Sequence, residues 1–290
     1  MSLLDPVLIA QLGNLELRAR RILDGFYAGR HVNRNRGHAQ DFSEHRPYNP
    51  GDDLRSMDWK VFGRTDRLVV KQYEEQTNVQ ATIVMDQSAS MGFSHSGRMS
   101  KLDYAKTMAA AIGYVVVSQS DAIGLLSAST RLPAGSQLGH LSRLYESLEK
   151  LAPNGAWDID GLVRDLEVTS RRRGFVAVFS DLMADPERVL SSLRLLHARK
   201  NEVLVFQVLD PAELDLPFNG PVLFEDMEDG TTLKTEPDTI RGAYRSWVKD
   251  HLASQSQAFR SLGVDYLLLT TDSPFDRGLG AYLSWRQVHL

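Results

Sequence analysis

The chain contains no cysteine among its 290 residues. Disulfides, thiolate nucleophiles and cysteine-ligated structural zinc are therefore excluded. No apolar run approaches the roughly 20 residues that cross a bilayer. The N-terminal leucines are interrupted by Asp5, Gln11 and Glu16, which is not the pattern of a secretory signal. We therefore expect a cytoplasmic protein that does not insert directly into a membrane.

An excess of charge of either sign is also missing. The 33 Lys and Arg residues stand against 37 Asp and Glu residues, for a net charge of -4. Such a balanced surface has no strong field for a polyanion, so we expect no nucleic-acid partner. The GxxxxGK[ST] loop of ATPases and the G-x-S-x-G elbow of serine hydrolases are both absent from the sequence. Any ATP hydrolysis would have to come from a partner.

Apolar β-type runs alternate with helix-periodic segments from residue 79 onward. The predicted strands are 79–85, 122–128, 175–179, 203–209 and 264–269, and the predicted helices are 101–118, 138–151, 159–169, 186–199, 240–262 and 275–288. Asp185 is the expected cap of the helix that begins at Pro186. Such alternation predicts an α/β fold in which a central, mostly parallel sheet is flanked by helices on both faces. A hairpin is predicted across residues 228–231.

The segment before residue 77 has a different residue pattern. A helix is predicted over about residues 5–26, and the stretch from there to about residue 76 is rich in turn-forming and charged residues without helical period. We therefore predict two domains: residues 1–76, a helix followed by a partly β segment, and residues 77–290, the α/β domain.

A metal-binding pattern follows the first strand of the α/β domain. Asp86-Gln87-Ser88-Ala89-Ser90 comes directly after an apolar run, and Asp181 comes directly after another. In parallel sheets ligand sites lie outside the carboxyl ends of the strands, so both aspartates are expected at one edge. Carboxylate and hydroxyl oxygens suit a hard cation, which predicts a site for Mg²⁺, or for Mn²⁺ or Ca²⁺ in its place.

These residues resemble the von Willebrand factor A fold and its metal-ion-dependent adhesion site. That family places a DxSxS loop, a threonine from a middle loop and a later aspartate around one Mg²⁺. By position, Asp86, Ser88 and Ser90 match the first element, and Asp181 matches the third. The resemblance implies that the ion binds an acidic side chain of another protein.

The middle element departs from that family. Trp157 stands where the threonine is expected, and an indole offers only an N–H donor, so it cannot bind the ion. Either Asp158 or Asp160 substitutes, through water or directly, or the metal site is weakened or lost.

A second resemblance extends over more residues. The segment from His45 to Trp59, with Arg64 and Val70-Lys71 after it, resembles the signature of the bacterial family called domain of unknown function 58. The resemblance implies a partner of a MoxR-type AAA+ ATPase, the pair acting in chaperone-like assembly or activation of a client protein that the sequence does not identify. We interpret the signature as a structural platform rather than a catalytic one; its residues are Arg46, Pro50, Gly51, Asp52, Asp53, Arg55, Asp58 and Trp59.

Three functions remain open from the sequence. The leading one is a non-enzymatic protein-interaction adaptor that binds through the metal site. The second is a metal-assisted hydrolase with Asp86 and Asp181 as ligands, although Ser88 stands where the haloacid-dehalogenase-type phosphatases carry their acid/base aspartate. The third is a structural binding module whose metal site does not function.

Overall fold

The computed structural model describes residues 13–30, 42–47, 59–65, 67–73, 79–169 and 174–289, together with Pro6, Ile9 and Met57. The chain divides into two compact units, one formed by residues 1–30 and 79–290 and the other by residues 31–78. This division groups the N-terminal helix with the larger unit, whereas the boundary predicted at residue 76 grouped it with the signature segment.

The described strands of the larger unit include a six-stranded sheet of order β10-β7-β6-β3-β4-β5, in which only β5 is antiparallel to its neighbour. Its strands are β3 (Gln80–Met85), β4 (Ala122–Ser127), β5 (Arg131–Gly135), β6 (Phe175–Ser180), β7 (Glu202–Leu209) and β10 (Asp265–Thr270). The predicted mostly parallel sheet is confirmed. A separate hairpin, β8 (Val222–Glu225) and β9 (Thr232–Thr235), is inserted between β7 and β10, as the sequence predicted.

Helices cover both faces of this sheet. They are α1 (Leu15–Arg30), α3 (Lys101–Ser118), α4 (Leu138–Glu149), α5 (Ile159–Thr169), α6 (Pro186–Ala198), α7 (Pro211–Asp215), α8 (Pro237–Ser261) and α9 (Phe275–His289). Asp185 caps α6 as predicted, because its carboxylate accepts from the N–H groups of Glu187 and Arg188. None of the described helices is long and apolar enough to cross a membrane.

The two faces of the sheet bury separate apolar clusters. Along β3, Ile83 and Met85 belong to the cluster that includes α3, whereas Val84 belongs to the cluster that includes α5 and α6. A strand buried on both faces needs apolar residues at successive positions. This requirement explains why β3 and β6 are continuous apolar runs in the sequence rather than alternating ones.

The smaller unit contains β1 (Phe42–Pro47), α2 (Trp59–Thr65) and β2 (Val69–Tyr73). Strands β1 and β2 pair antiparallel, with Arg46 opposite Val70, and Met57 forms an isolated bridge to Val70. Trp59 begins α2 and is 60% exposed. The remaining residues of the predicted platform lie outside the described residues: Pro50, Gly51, Asp52, Asp53, Arg55 and Asp58.

Candidate functional site at the strand ends

Asp86 lies at the carboxyl end of β3, beside the end of its neighbour β6. Its N–H donates to the carbonyl oxygen of Phe179 at 2.9 Å, which joins the two strand ends. The carboxylate is 1% exposed; Oδ1 accepts from the N–H of Ser88 at 2.7 Å and Oδ2 accepts from the hydroxyl of Ser180 at 2.6 Å. These two contacts fix the orientation of the carboxylate.

The two serines of the DxSxS loop present their hydroxyls together. Ser88 Oγ and Ser90 Oγ are 3.0 Å apart, and the loop continues as a short 3₁₀ turn over Ala89–Gly92. The N–H of Ala89 donates to the carbonyl of Gly155 at 2.8 Å, so the loop is pinned against the residues before α5. Gly92 permits this packing, because a Cβ there would lie 2.9 Å from Pro153 Cγ.

Asp181 follows β6 and forms an ion pair with a lysine of the same chain. Its Oδ2 is 2.7 Å from Nζ of Lys101, and the same ammonium is 2.6 Å from Oε1 of Glu213. The side chain of Lys101 is completely buried. The second oxygen of Asp181 accepts from the N–H of Met183 at 3.2 Å.

Lys101 did not emerge from the sequence as a site residue, although its position gives a signal. It is the first residue of α3, where the positive end of the helix dipole disfavours a cation. A lysine placed there needs carboxylates to stabilise it. Asp181 and Glu213 supply them, and their attraction outweighs burial and raises the pKa of Lys101.

The negative charge at the strand ends exceeds the positive charge. Asp86, Asp181 and Glu213 contribute three carboxylates against the one ammonium of Lys101. Burial, together with the nearby carboxylate of Asp181, raises the pKa of Asp86 from 3.8 to about 7. Burial also raises the pKa of Glu213, even though Lys101 opposes this effect. A further carboxylate, that of Asp210, lies beside Glu213; it accepts hydrogen bonds from two backbone N–H groups and one hydroxyl, which stabilise its charge without cancelling it.

This excess fits a divalent cation. At least two negative charges at the site lack a positive partner, which favours a divalent cation such as Mg²⁺; the alternative is a proton on Asp86 near neutral pH. Within the described residues, no three side chains of the His, Cys, Asp and Glu types are grouped so as to hold a metal ion. A cation here would therefore need the hydroxyls of Ser88 and Ser90 as well as the carboxylates, a donor set of oxygens that Mg²⁺ accepts while keeping part of its water.

The candidates from the middle loop have other contacts. Asp158 accepts from the N–H of Gly161 at 3.2 Å and is 3.4 Å from Arg188. Asp160 pairs with the same arginine at 2.7 Å. Trp157 is 7% exposed and packs in the apolar cluster on the α5 and α6 face. The role of Asp158 as a metal ligand stays a prediction, and its exposed carboxylate contacts α6.

A further acidic side chain reaches the loop from the β8–β9 hairpin. Oε1 of Glu228 is 3.5 Å from the hydroxyl of Ser90. This residue did not emerge from the sequence as a site residue, because 138 positions separate the two partners. Only the predicted turn across residues 228–231 marked the region.

Proteins of known sequence resemble this chain over most of its length. The family model described as "Protein of unknown function DUF58" matches residues 44–254. The uncharacterized protein Mb1516 of Mycobacterium bovis and the uncharacterized protein Rv1480 of Mycobacterium tuberculosis are each 33% identical over 276 residues, which cover 92% of this chain and 86% of theirs.

Solved structures resemble the chain in fold. BatB from Bacteroides thetaiotaomicron is 17% identical with a TM-score of 0.50, over 71% of this chain and 97% of that one. The SpRpn10 VWA domain is 10% identical with a TM-score of 0.44, over 71% of this chain and 95% of that one. The larger unit has a central mostly parallel sheet between two helical layers, which is the von Willebrand factor A-like fold predicted from the sequence.

Proposed function

Because the chain belongs to the DUF58 family and has a von Willebrand factor A-like fold, we propose that it is a non-enzymatic protein-interaction adaptor. It works with a MoxR-type AAA+ ATPase in the assembly or activation of client proteins, and it binds an acidic residue of its protein ligand through a divalent cation. The observation that carries the cation is the excess negative charge around Asp86 and Asp181. The ATPase partner is supported by the family resemblance alone.

The residues of this chain divide the work of holding the cation. The hydroxyls of Ser88 and Ser90 are its oxygen ligands, and Asp86 and Asp181 supply the compensating charge directly or through water. Ser180 and the N–H of Ser88 keep the carboxylate of Asp86 in one orientation. A cation held by these residues would supply the positive charge that attracts a carboxylate of the protein ligand. Lys101 holds Asp181 in place and neutralises part of the remaining charge.

The binding of Mg²⁺ or Mn²⁺ to the full chain, measured by isothermal titration calorimetry, tests the cation. We expect one site per chain that the variant Asp86→Asn abolishes, since the change removes a charge and keeps the shape. The matched control is Asp238→Asn, which removes an exposed carboxylate paired with Arg241 on α8 at 2.9 Å. If neither cation binds to the wild type, the cation site is refuted, and the alternative of a structural binding module whose metal site does not function is favoured.

A pull-down with a purified MoxR-type ATPase tests the partner. We expect capture of the wild-type chain in the presence of nucleotide, and weaker capture by Asp86→Asn if the cation site contributes to the contact. A wild-type chain that never retains such an ATPase, with Mg²⁺ present, would remove the partner from the proposal and leave the cation site standing.

A further inference from the structure

Glu228 contacts the DxSxS loop through the hydroxyl of Ser90. The carboxylate lies at the tip of the β8–β9 hairpin, and its Oε1 is 3.5 Å from Ser90 Oγ, which in turn is 3.0 Å from Ser88 Oγ. Glu228 itself is exposed. An exposed acidic side chain of the hairpin therefore lies at hydrogen-bonding distance from the hydroxyl of Ser90.

The hairpin is held in this position by contacts along its length. A Cβ on Gly92 would lie 3.7 Å from Cε of Met227, so the residue before Glu228 rests against the 3₁₀ turn of the loop. In β8, the ring of Phe224 packs edge-to-face on Phe218 at 5.4 Å, and Phe218 packs in the same manner on His95 at 5.1 Å. These contacts tie both the tip and the base of the hairpin to the segment that follows Ser90.

The tip has a defined shape that directs Glu228. The carboxylate of Asp226 accepts from the N–H of Glu228 at 2.7 Å, and Asp229 accepts from the N–H of Thr231 at 2.8 Å. Asp226 and Asp229 are thus used in the turn itself. Glu228 alone among the three acidic residues of the tip has a contact with the DxSxS loop.

The middle element of the site lacks a ligand at Trp157, whose side chain is buried in the core. We propose that Glu228 is an internal carboxylate ligand of the strand-end cation, and that the β8–β9 hairpin must leave this position before a carboxylate of a partner protein can bind there. This inference rests on the cation site of the proposed function. The chain would then carry its own competitor for the acidic residue of a ligand.

An apolar cavity also lies beside the hairpin. Phe224 and Leu233 from the hairpin form one wall of a cavity of about 350 Å³, whose other walls include Phe93, Leu216 and Ile240. A partner that replaces Glu228 at the cation therefore meets an acidic-binding position and an apolar surface side by side. The fitting ligand is a segment with an acidic residue next to a large apolar one.

Two variants that remove equal charge from the hairpin tip test the inference. Glu228→Gln removes the proposed ligand, and Asp229→Asn removes a neighbouring carboxylate while keeping an oxygen for the N–H of Thr231. The dissociation constant of Mn²⁺ is measured for both and for the wild-type full chain by electron paramagnetic resonance. We expect roughly tenfold weaker binding in Glu228→Gln and less than twofold change in Asp229→Asn.

Hydrogen exchange of the hairpin gives a second readout. Addition of Mg²⁺ is expected to slow exchange of the amides of residues 226–231 several-fold in the wild type and not in Glu228→Gln. If the wild type binds Mn²⁺ and both variants bind it equally, the internal ligand is refuted while the cation site stands. If the wild type binds no Mn²⁺, the cation site fails and this inference fails with it.

Discussion

Replacement of Lys101 with methionine would remove the positive charge from the interior of the site while keeping a side chain of similar length. The ammonium is completely buried and lies within 2.7 Å of Asp181 and 2.6 Å of Glu213. Methionine would preserve most of the packing of the alkyl stem in α3. The loss of stability should therefore come mainly from the two carboxylates that are left without a counter-charge.

The magnitude follows from the burial of the partners. Removal of one member of a buried ion pair costs about 3–5 kcal/mol, because the remaining charge stays buried and uncompensated. Asp181 is 1% exposed and Glu213 18% exposed, so solvent compensates little. We expect a loss in this range at pH 8. The loss should be smaller at pH 5, since burial already raises the pKa of Glu213 and, without the opposing ammonium of Lys101, this carboxylate takes up a proton as the pH falls.

Urea unfolding of the full chain at both pH values measures this loss, and thermal unfolding should show a midpoint lowered on the order of 10 °C. The control is Arg20→Met, which breaks an exposed pair of 2.7 Å with Glu16 and should cost about 0.5 kcal/mol. Adding Glu213→Gln to Lys101→Met should restore part of the stability, because it removes one of the unpaired charges. A loss in Lys101→Met no greater than that of the control would refute the charge-compensation argument.

Three other changes follow from the geometry of the site. In the presence of a chelator, the raised pKa of Asp86 predicts that the stability of the wild type relative to Asp86→Asn falls as the pH rises from about 4 to 7. The folded state holds the proton of Asp86 more tightly than the unfolded state, and the fall is at most about 4 kcal/mol. Urea unfolding of both proteins at several pH values measures this difference, and a difference that does not change with pH would contradict the raised pKa of Asp86. Gly92→Ala should lower the free energy of unfolding by about 1–3 kcal/mol, because the new Cβ would lie 2.9 Å from Cγ of Pro153. A thermal unfolding midpoint equal to that of the wild type would contradict this contact. Trp157→Thr should lower the free energy of unfolding, measured by calorimetry, by about 3–5 kcal/mol, because the indole is buried in the core. An unchanged free energy of unfolding would contradict the buried position of the indole.

The sheet was predictable because its strands are buried on both faces. Apolar runs such as the one before Asp86 mark β3, β6 and β7 without dependence on distant residues. Strand β5 (Arg131–Gly135) was missed, since it lies at the edge of the sheet, contains Pro133 and is partly exposed. Helix α7 (Pro211–Asp215) was missed because five residues are too few to display a helical period.

Only those site residues that directly follow a strand could be predicted from the sequence. Asp86 and Asp181 each follow an apolar strand, and β3 pairs directly with β6, so the two aspartates are neighbours at one edge. Lys101 and Glu228 reach the site across 80 and 138 positions of the chain. Local patterns do not encode such contacts, which depend on where a helix begins and on how a hairpin folds back.

The charges at the strand ends affect both the binding of an acidic partner and the position of the β8–β9 hairpin. Lys101 balances one of the three carboxylates, so an acidic partner that approached without a cation would meet an excess of negative charge. With a divalent cation the same position becomes attractive to a carboxylate. Glu228 already lies near that position. Its carboxylate would be repelled in the absence of a divalent cation and attracted in its presence. Dependence of partner binding on Mg²⁺ and dependence of hairpin protection on Mg²⁺ should therefore change together, and a variant such as Asp86→Asn should remove both.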